Sequence, residues 1–225
     1  MASVTARSGT HHEVPTQVKD PALVAKRRRQ IVDASVALFV KNGYHNTTTR
    51  QIAKATGFSI GSLYEYVSTK EDVLYLVCDA IHAEMEKAVA GVVSGQSPGP
   101  DMLRDAVRGY FAVCDAMSDH IVLIYQVTQF LSGKWKKKVL DNEIRVTDSF
   151  RQLLENVIAA ECVTGIDARQ IDLAAHNIAV LGHAWAFRRW FYLKHYSLEE
   201  YTEFQIRNIL GALAGDIRSS MKKGK

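Results

Sequence analysis

Apolar residues recur at three- and four-residue spacing along most of this chain, a period that predicts helices rather than strands. From about Ala22 the first stripe runs through Ile31, Val32, Ala34, Val36, Leu38 and Phe39. It ends at Asn42-Gly43, where a glycine can take the left-handed conformation that closes a helix. Next, Thr48 stands three residues ahead of Gln51, the spacing of a capping box. A short helix follows with Ile52, Ala53 and Ala55 facing inward, and Gly57 stops it. Ser59 is placed to cap a second short helix, Ile60 to Tyr66. Ser68-Thr69 caps a long helix that begins Lys70-Glu71-Asp72, with acid at the favourable end of the dipole, and runs to about Val93. Ser94 to Pro100 is the clearest loop. Further helical stretches fall at about 101–117, 119–131, 134–162, 167–195 and 198–219. No segment alternates as a strand would, so the pattern predicts an all-α chain of about nine helices.

The organisation read from this pattern is a flexible arm (1–21), a helix-turn-helix domain (22–68), a larger helical domain (69–220) and a basic tail (221–225). At 225 residues, 47% hydrophobic and 23% charged, the chain has the composition of an ordinary globular protein. Its net charge of +4 is localised: residues 1–72 hold ten Lys/Arg against six Asp/Glu, and the remainder is balanced. That distribution points to a polyanion partner for the first third only. Cys78, Cys114 and Cys162 are far apart in apolar surroundings and read as reduced core cysteines. No metal-ligand spacing, phosphate-cradling glycine loop or nucleophile elbow is present; His82-Ala83-Glu84 is only a fragment of such patterns. We therefore expect no cofactor, no metal and no enzyme. The absence of a signal-peptide pattern or an apolar run long enough to span a bilayer predicts a cytoplasmic protein without a membrane partner.

Two short helices joined by a glycine-containing turn make a helix-turn-helix. The second must reach base edges in the major groove, so its outer face should carry small or polar residues. Ile60, Gly61, Ser62, Glu65 and Tyr66 fill that face, while Leu63 holds the helix down. Thr47, Thr48, Arg50, Tyr64, Tyr66 and Lys70 could clamp phosphates, helped by the helix N-terminus at Ser59.

Gly43-Tyr44, Thr47-Thr48, Ile52-Ala53, Gly57-Phe58-Ser59, Gly61, Leu63-Tyr64, Tyr66 and Ser68-Thr69-Lys70-Glu71 together resemble the N-terminal domain of the TetR family of repressors. The resemblance covers about residues 26–74. It implies three DNA-binding helices, a connecting fourth, and a larger helical domain for ligand binding and dimerisation. It carries Ile60, Gly61 and Ser62 to base edges, Thr47, Thr48, Tyr64, Tyr66 and Lys70 to the phosphate backbone, and Arg27 and Arg28 to the region where the arm and first helix approach DNA. Val67, where the family usually has Phe, is a departure in packing. Glu65 is a second departure, since a carboxylate near DNA must accept from a cytosine amine or point away.

In the larger domain, residues 171–193 and 204–217 resemble the helix pair that forms a four-helix dimer interface, with Ala174, Ala175, Gly211 and Ala214 permitting close approach; the other reading is that these faces pack within one subunit. A homodimer is also favoured because one recognition helix gives few contacts for an operator. The run His183 to Tyr192 spreads aromatics over several faces of one helix around Arg188-Arg189. It reads either as plain core or as a pocket in which arginine fixes an anion. His183, Trp185, Phe187, Arg188 and Arg189 would form one wall, and Tyr110, Cys114, Tyr125, Gln126, Gln129 and Phe130 the other; His183 reads more readily as a satisfied core histidine. This stretch is similar to TetR-type regulators of fatty-acid degradation, which implies an acyl-CoA effector, with Lys134 to Lys138 either meeting its phosphates or simply solvated. A neutral or cationic lipophile acting on an efflux repressor is the alternative, and a helical interaction module without DNA binding is another.

Overall fold

The structure, a computed structural model, describes residues 14–93, 98–161 and 165–222. Most of the expected arm, part of the expected loop (94–97), Cys162 and the end of the basic tail (223–225) lie outside the described residues. Those described form ten α-helices and one 3-10 turn and no strand, close to the number that periodicity predicts.

The chain divides into two compact units, residues 1–76 and 77–225. In the first, α1 (Pro21–Asn42) starts at Asp20, whose carboxylate accepts from the N–H groups of Ala22 and Leu23. α2 (Thr49–Thr56) opens on the expected capping box: Thr48 accepts from the Gln51 N–H, and Gln51 accepts from the Thr48 N–H at 2.7 Å. It ends at Gly57, φ 74°, in the left-handed region. α3 (Ile60–Tyr64) is capped by Ser59, which accepts from the Ser62 N–H. α4 (Lys70–Val93) begins in this unit with a second reciprocal cap, Asp72 accepting from Ser68 and Thr69 while Thr69 accepts from Asp72. Ile31, Phe39, Ile52, Ala53, Leu63 and Val67 form the unit's buried centre. Ala55, expected inward, is exposed, because a helix of only eight residues has one buried stripe and Ile52 and Ala53 occupy it.

The second unit holds the rest of α4, then α5 (Pro100–Ala116), α6 (Ser118–Val127), the 3-10 turn Thr128–Phe130, α7 (Gly133–Ala160), α8 (Ala168–Phe187), α9 (Arg189–His195) and α10 (Leu198–Lys222). α8 packs against α5, α6 and α7, and α10 against α5 and α8. Among the described residues no helix is long and apolar enough to cross a membrane.

Two expectations are corrected here. The stretch 167–195 is two helices, not one, with the break at Arg188. Asp115 explains it: its carboxylate accepts from the Trp185 indole N–H at 2.8 Å and pairs with Arg189 at 3.3 Å, so one anchor on α5 binds both sides of the break. Within the stretch 171–193 expected to face a dimer partner, Ile171, Ala175, Ile178 and Gly182 on α8 are instead buried within the subunit. Leu173, Val180 and Phe187 face outward instead, at 63, 55 and 38% exposure.

Candidate DNA-binding face and effector cavity

Leu63 is fully buried and pins α3 to α2, so the other residues of this five-residue helix are turned outward. Ile60 and Tyr64 are exposed, Gly61 is open, and Ser62 is half-buried with its hydroxyl 3.0 Å from that of Ser59. The Tyr64 hydroxyl lies 3.2 Å from Thr49 on α2. Arg50 and Lys54 are exposed on α2. Glu65 caps α3 with its side chain outside, while its carbonyl accepts from the Gln17 N–H and the Thr16 hydroxyl. The end of the N-terminal segment is therefore docked beside α3, with Val14 buried.

Several polar residues of this region turn inward, for one physical reason: helix ends and tight loops leave carbonyls that need donors. The Lys70 ammonium donates to the carbonyls of Tyr44, His45 and Thr47 and sits over the Tyr44 ring. Desolvation there lowers its pKa. The Arg28 guanidinium donates to the carbonyls of Tyr66 and Val14. Thr47 is fully buried, its hydroxyl donating to Gly43. Arg27 lies over the Phe58 ring.

In the second unit a cavity of about 140 Å³ lies among α4, α6, α7 and α8. Met85, Ile121, Ile124 and Leu140 give it apolar walls, and His82, Tyr125, Thr128, Glu143 and His183 give it polar ones. His183 is held on both nitrogens, Nε2 3.0 Å from the Tyr110 hydroxyl and Nδ1 2.9 Å from that of Tyr125. Burial lowers its pKa to about 4, so the ring is neutral. His82 is neutral too, for the same cause, and its Nδ1 donates to the Cys78 carbonyl at 2.8 Å. Burial raises the pKa of Glu143. A larger hollow of about 690 Å³ lies on the flank of α9 and α10, between Phe191, Tyr196, Tyr201 and Phe204. Glu203 on its wall is paired with Arg108 and Glu200 accepts from the Ser197 N–H, with Glu199 and Arg207 beside them. The smaller cavity, set among four helices and combining apolar walls with a few polar groups, is the better candidate for a ligand.

Residues 31–75 match the bacterial regulatory proteins of the tetR family. Over 192 residues, 84% of this chain and 82% of the relative, the sequence is 34% identical to the HTH-type transcriptional regulator HbdR of Aromatoleum sp. (strain CIB). This chain belongs to the TetR family. It is accordingly a DNA-binding transcriptional regulator. It is also 24% identical over 145 residues (62% of this chain, 73% of the relative) to the fatty acid metabolism regulator protein of Bacillus subtilis (strain 168). The crystal structure of AibR in complex with isovaleryl coenzyme A and operator DNA shares the fold, at TM-score 0.65 and 16% identity, covering 80% of this chain and 96% of that one.

In this TetR-family protein, Ser59, Ile60, Gly61, Ser62, Tyr64, Thr48 and Arg50 stand together on the α2–α3 surface. Thr47, Arg28, Lys70 and Tyr66 do not present their groups there in the same way; Tyr66 is buried at 6% exposure. Gly61 has room for a methyl group, since a Cβ would meet only the Ser59 hydroxyl at 3.8 Å. Gly61→Ala is expected to keep or raise the melting temperature. If Gly61 meets base edges as the sequence motif implies, the added methyl should weaken operator binding by about tenfold or more, the scale of one base-edge contact. Unchanged operator affinity in a fluorescence titration would remove Gly61 from the interface.

Of the residues expected around a ligand, only Tyr125 and His183 line the cavity. Tyr110 and Cys114 are buried behind His183. Trp185 faces another way, stacked on Tyr192, and Phe187 packs edge-on to Tyr125 near the surface. Gln126, Gln129 and Phe130 are exposed, since α6 shows the core one face only and the 3-10 turn is peripheral. Arg188 is exposed over Trp190 and Phe191, and Arg189 is tied to Asp115, so neither arginine supplies the anion contact expected of it. Sequence reasoning missed His82 and Glu143. The signal for His82 was its place in the inward stripe of Cys78, Ile81, Met85 and Val89, where a polar residue requires a partner.

Proposed function

We propose that this protein is a homodimeric repressor released from its operator by an acyl thioester whose acyl end enters the cavity beside His183. The observation that carries the reading is the cavity itself, apolar in the main with a few fixed polar groups, the usual make-up of a small-molecule site. At about 140 Å³ it has the volume of four or five waters at roughly 30 Å³ each. That is below the ~300–1,000 Å³ of a site that encloses a whole drug-sized ligand. It suits the end group of a longer molecule whose bulk stays outside. On α7, Lys136, Leu140 and Glu143 follow one another at four- and three-residue spacing and so share a face. Exposed Lys136 stands one turn beyond the cavity-lining Leu140, in reach of phosphates of a coenzyme A portion. The fatty acid regulator of Bacillus subtilis and the isovaleryl coenzyme A complex of AibR support this effector class. The outward stripe of Leu173, Val180 and Phe187 on α8 with Phe204 on α10 supports the dimer. Two recognition helices about 34–36 Å apart would then meet successive turns of one DNA face.

Fluorescence anisotropy of a labelled DNA fragment from beside the gene tests the reading. Titration with acyl-CoAs of two to sixteen carbons should lower operator affinity at least tenfold for some members, and by linkage the operator should weaken their binding equally. No change across the whole series sinks the acyl thioester. In the same assay Tyr64→Phe should weaken all sequences alike, whereas Ser62→Ala should change the preference among them; identical behaviour would mean that the two do not divide backbone and base contacts.

A further inference from the structure

The cavity holds acceptors that lack donors. Among the described residues no side chain donates a hydrogen bond to the Glu143 carboxylate, which lines the cavity. His82 lines it as well, and because its Nδ1–H is committed to the Cys78 carbonyl, its neutral ring has only an acceptor left at Nε2. His183 has both nitrogens committed to tyrosines. No lysine or arginine lines the cavity. An occupant must therefore bring a donor, and an anionic end would face the Glu143 side chain, whose ionisable neighbour is His176 on α8. Between the two donor types, an ammonium would bring a full charge pair against Met85, Ile121 and Ile124, where desolvation offsets most of the attraction. A hydroxyl is much cheaper to desolvate and is satisfied by a carboxylate.

Building on the acyl-thioester reading above, we propose that the effector's acyl group carries a hydroxyl, which donates to Glu143 inside the cavity. Sites built to hydrogen-bond a hydroxyl discriminate strongly against the analogue without it, because their own buried polar group is then left unpaired.

Isothermal titration of the full chain with matched thioesters tests this. Butyryl-CoA, 3-hydroxybutyryl-CoA, 4-hydroxybutyryl-CoA, 4-aminobutyryl-CoA and succinyl-CoA share a four-carbon backbone and differ in the polar group; the six- and eight-carbon homologues guard against a length mismatch. We expect at least one hydroxylated member to bind about tenfold or more tighter than its plain counterpart, with the succinyl form weakest. Glu143→Gln should shrink that ratio several-fold, and Glu143→Leu should reverse it. The readout is a ratio between ligands on one protein, which partial unfolding does not move. Plain and hydroxylated chains binding equally, the amino form binding tightest, or a ratio unmoved by Glu143→Leu would each overturn the hydroxyl. In those cases thioesters still release the operator and the effector class stands. If no thioester of any kind binds, both fall together.

Discussion

Gly182→Ala is expected to destabilise this protein by about 1–3 kcal/mol, the range for an overfilled core, or roughly 3–10 °C in melting temperature for a chain of this size. The expectation runs against the usual sign. Gly182 lies inside α8, where alanine would ordinarily gain about 0.5–1 kcal/mol over glycine. Here the added Cβ would stand 2.6 Å from Cε1 of Tyr110 and 2.8 Å from the sulfur of Cys114. Both neighbours are fully buried on α5, so neither can step aside without moving the helix. Tyr110 also braces His183, and a shift of α8 would carry the cavity wall with it. Thermal melts by circular dichroism, paired with effector titration, check both effects. A melting temperature equal to or above that of the parent would show that α5 and α8 separate freely and that the close approach is not needed.

Stability should also fall on acidification, with His183 the main cause. Its pKa in the folded chain is lowered to about 4 by burial, against about 6.5 in an unfolded one. Below pH ~6.5 the unfolded chain takes up a proton that the folded chain refuses. The contribution of His183 is therefore complete above that pH and is lost as pH falls toward 4. A difference of this size is worth at most about 3.5 kcal/mol. His82 is shifted in the same direction. Glu143, raised by burial, acts oppositely, since the folded chain takes its proton more readily. His183→Gln isolates the imidazole: between pH 7 and pH 5 the parent should lose several degrees more than the variant. Parallel slopes would show that the ring is protonated in the fold.

Local signals in the sequence were accurate where the structure is governed by local rules. Thr48 with Gln51, Ser59, and Gly57 mark helix ends through bonds within four residues, and Ile52, Ala53 and Leu63 are inward because period alone decides it. What was not legible depended on distant partners. The break at Arg188 has no glycine or proline to announce it; it comes from Asp115, some seventy residues earlier, which holds Trp185. Arg28 and Lys70 look like phosphate contacts by residue type, yet they donate to carbonyls of Tyr66 and Tyr44. A sequence shows which side chains can donate but not which acceptor is nearest. Glu143 was hidden for the complementary reason: on a long amphipathic helix a single acid at the edge of the apolar stripe reads as solvent-facing until the neighbouring helices are in place.

The break at Arg188 has an optical consequence. It puts two indoles five residues apart in opposite surroundings. Trp185 has no exposed surface, lies parallel to Tyr192 at 5.4 Å and is bonded to a carboxylate. Trp190 is 64% exposed. The first should emit at short wavelength and resist quenching by iodide, and the second should emit red-shifted and be quenched readily. A ligand that disturbs α8 would then change the blue component, to which buried Trp135 on α7 adds a constant part, while a partner that covers α9 would change the red one, so that unlabelled protein reports the two events in separate colours.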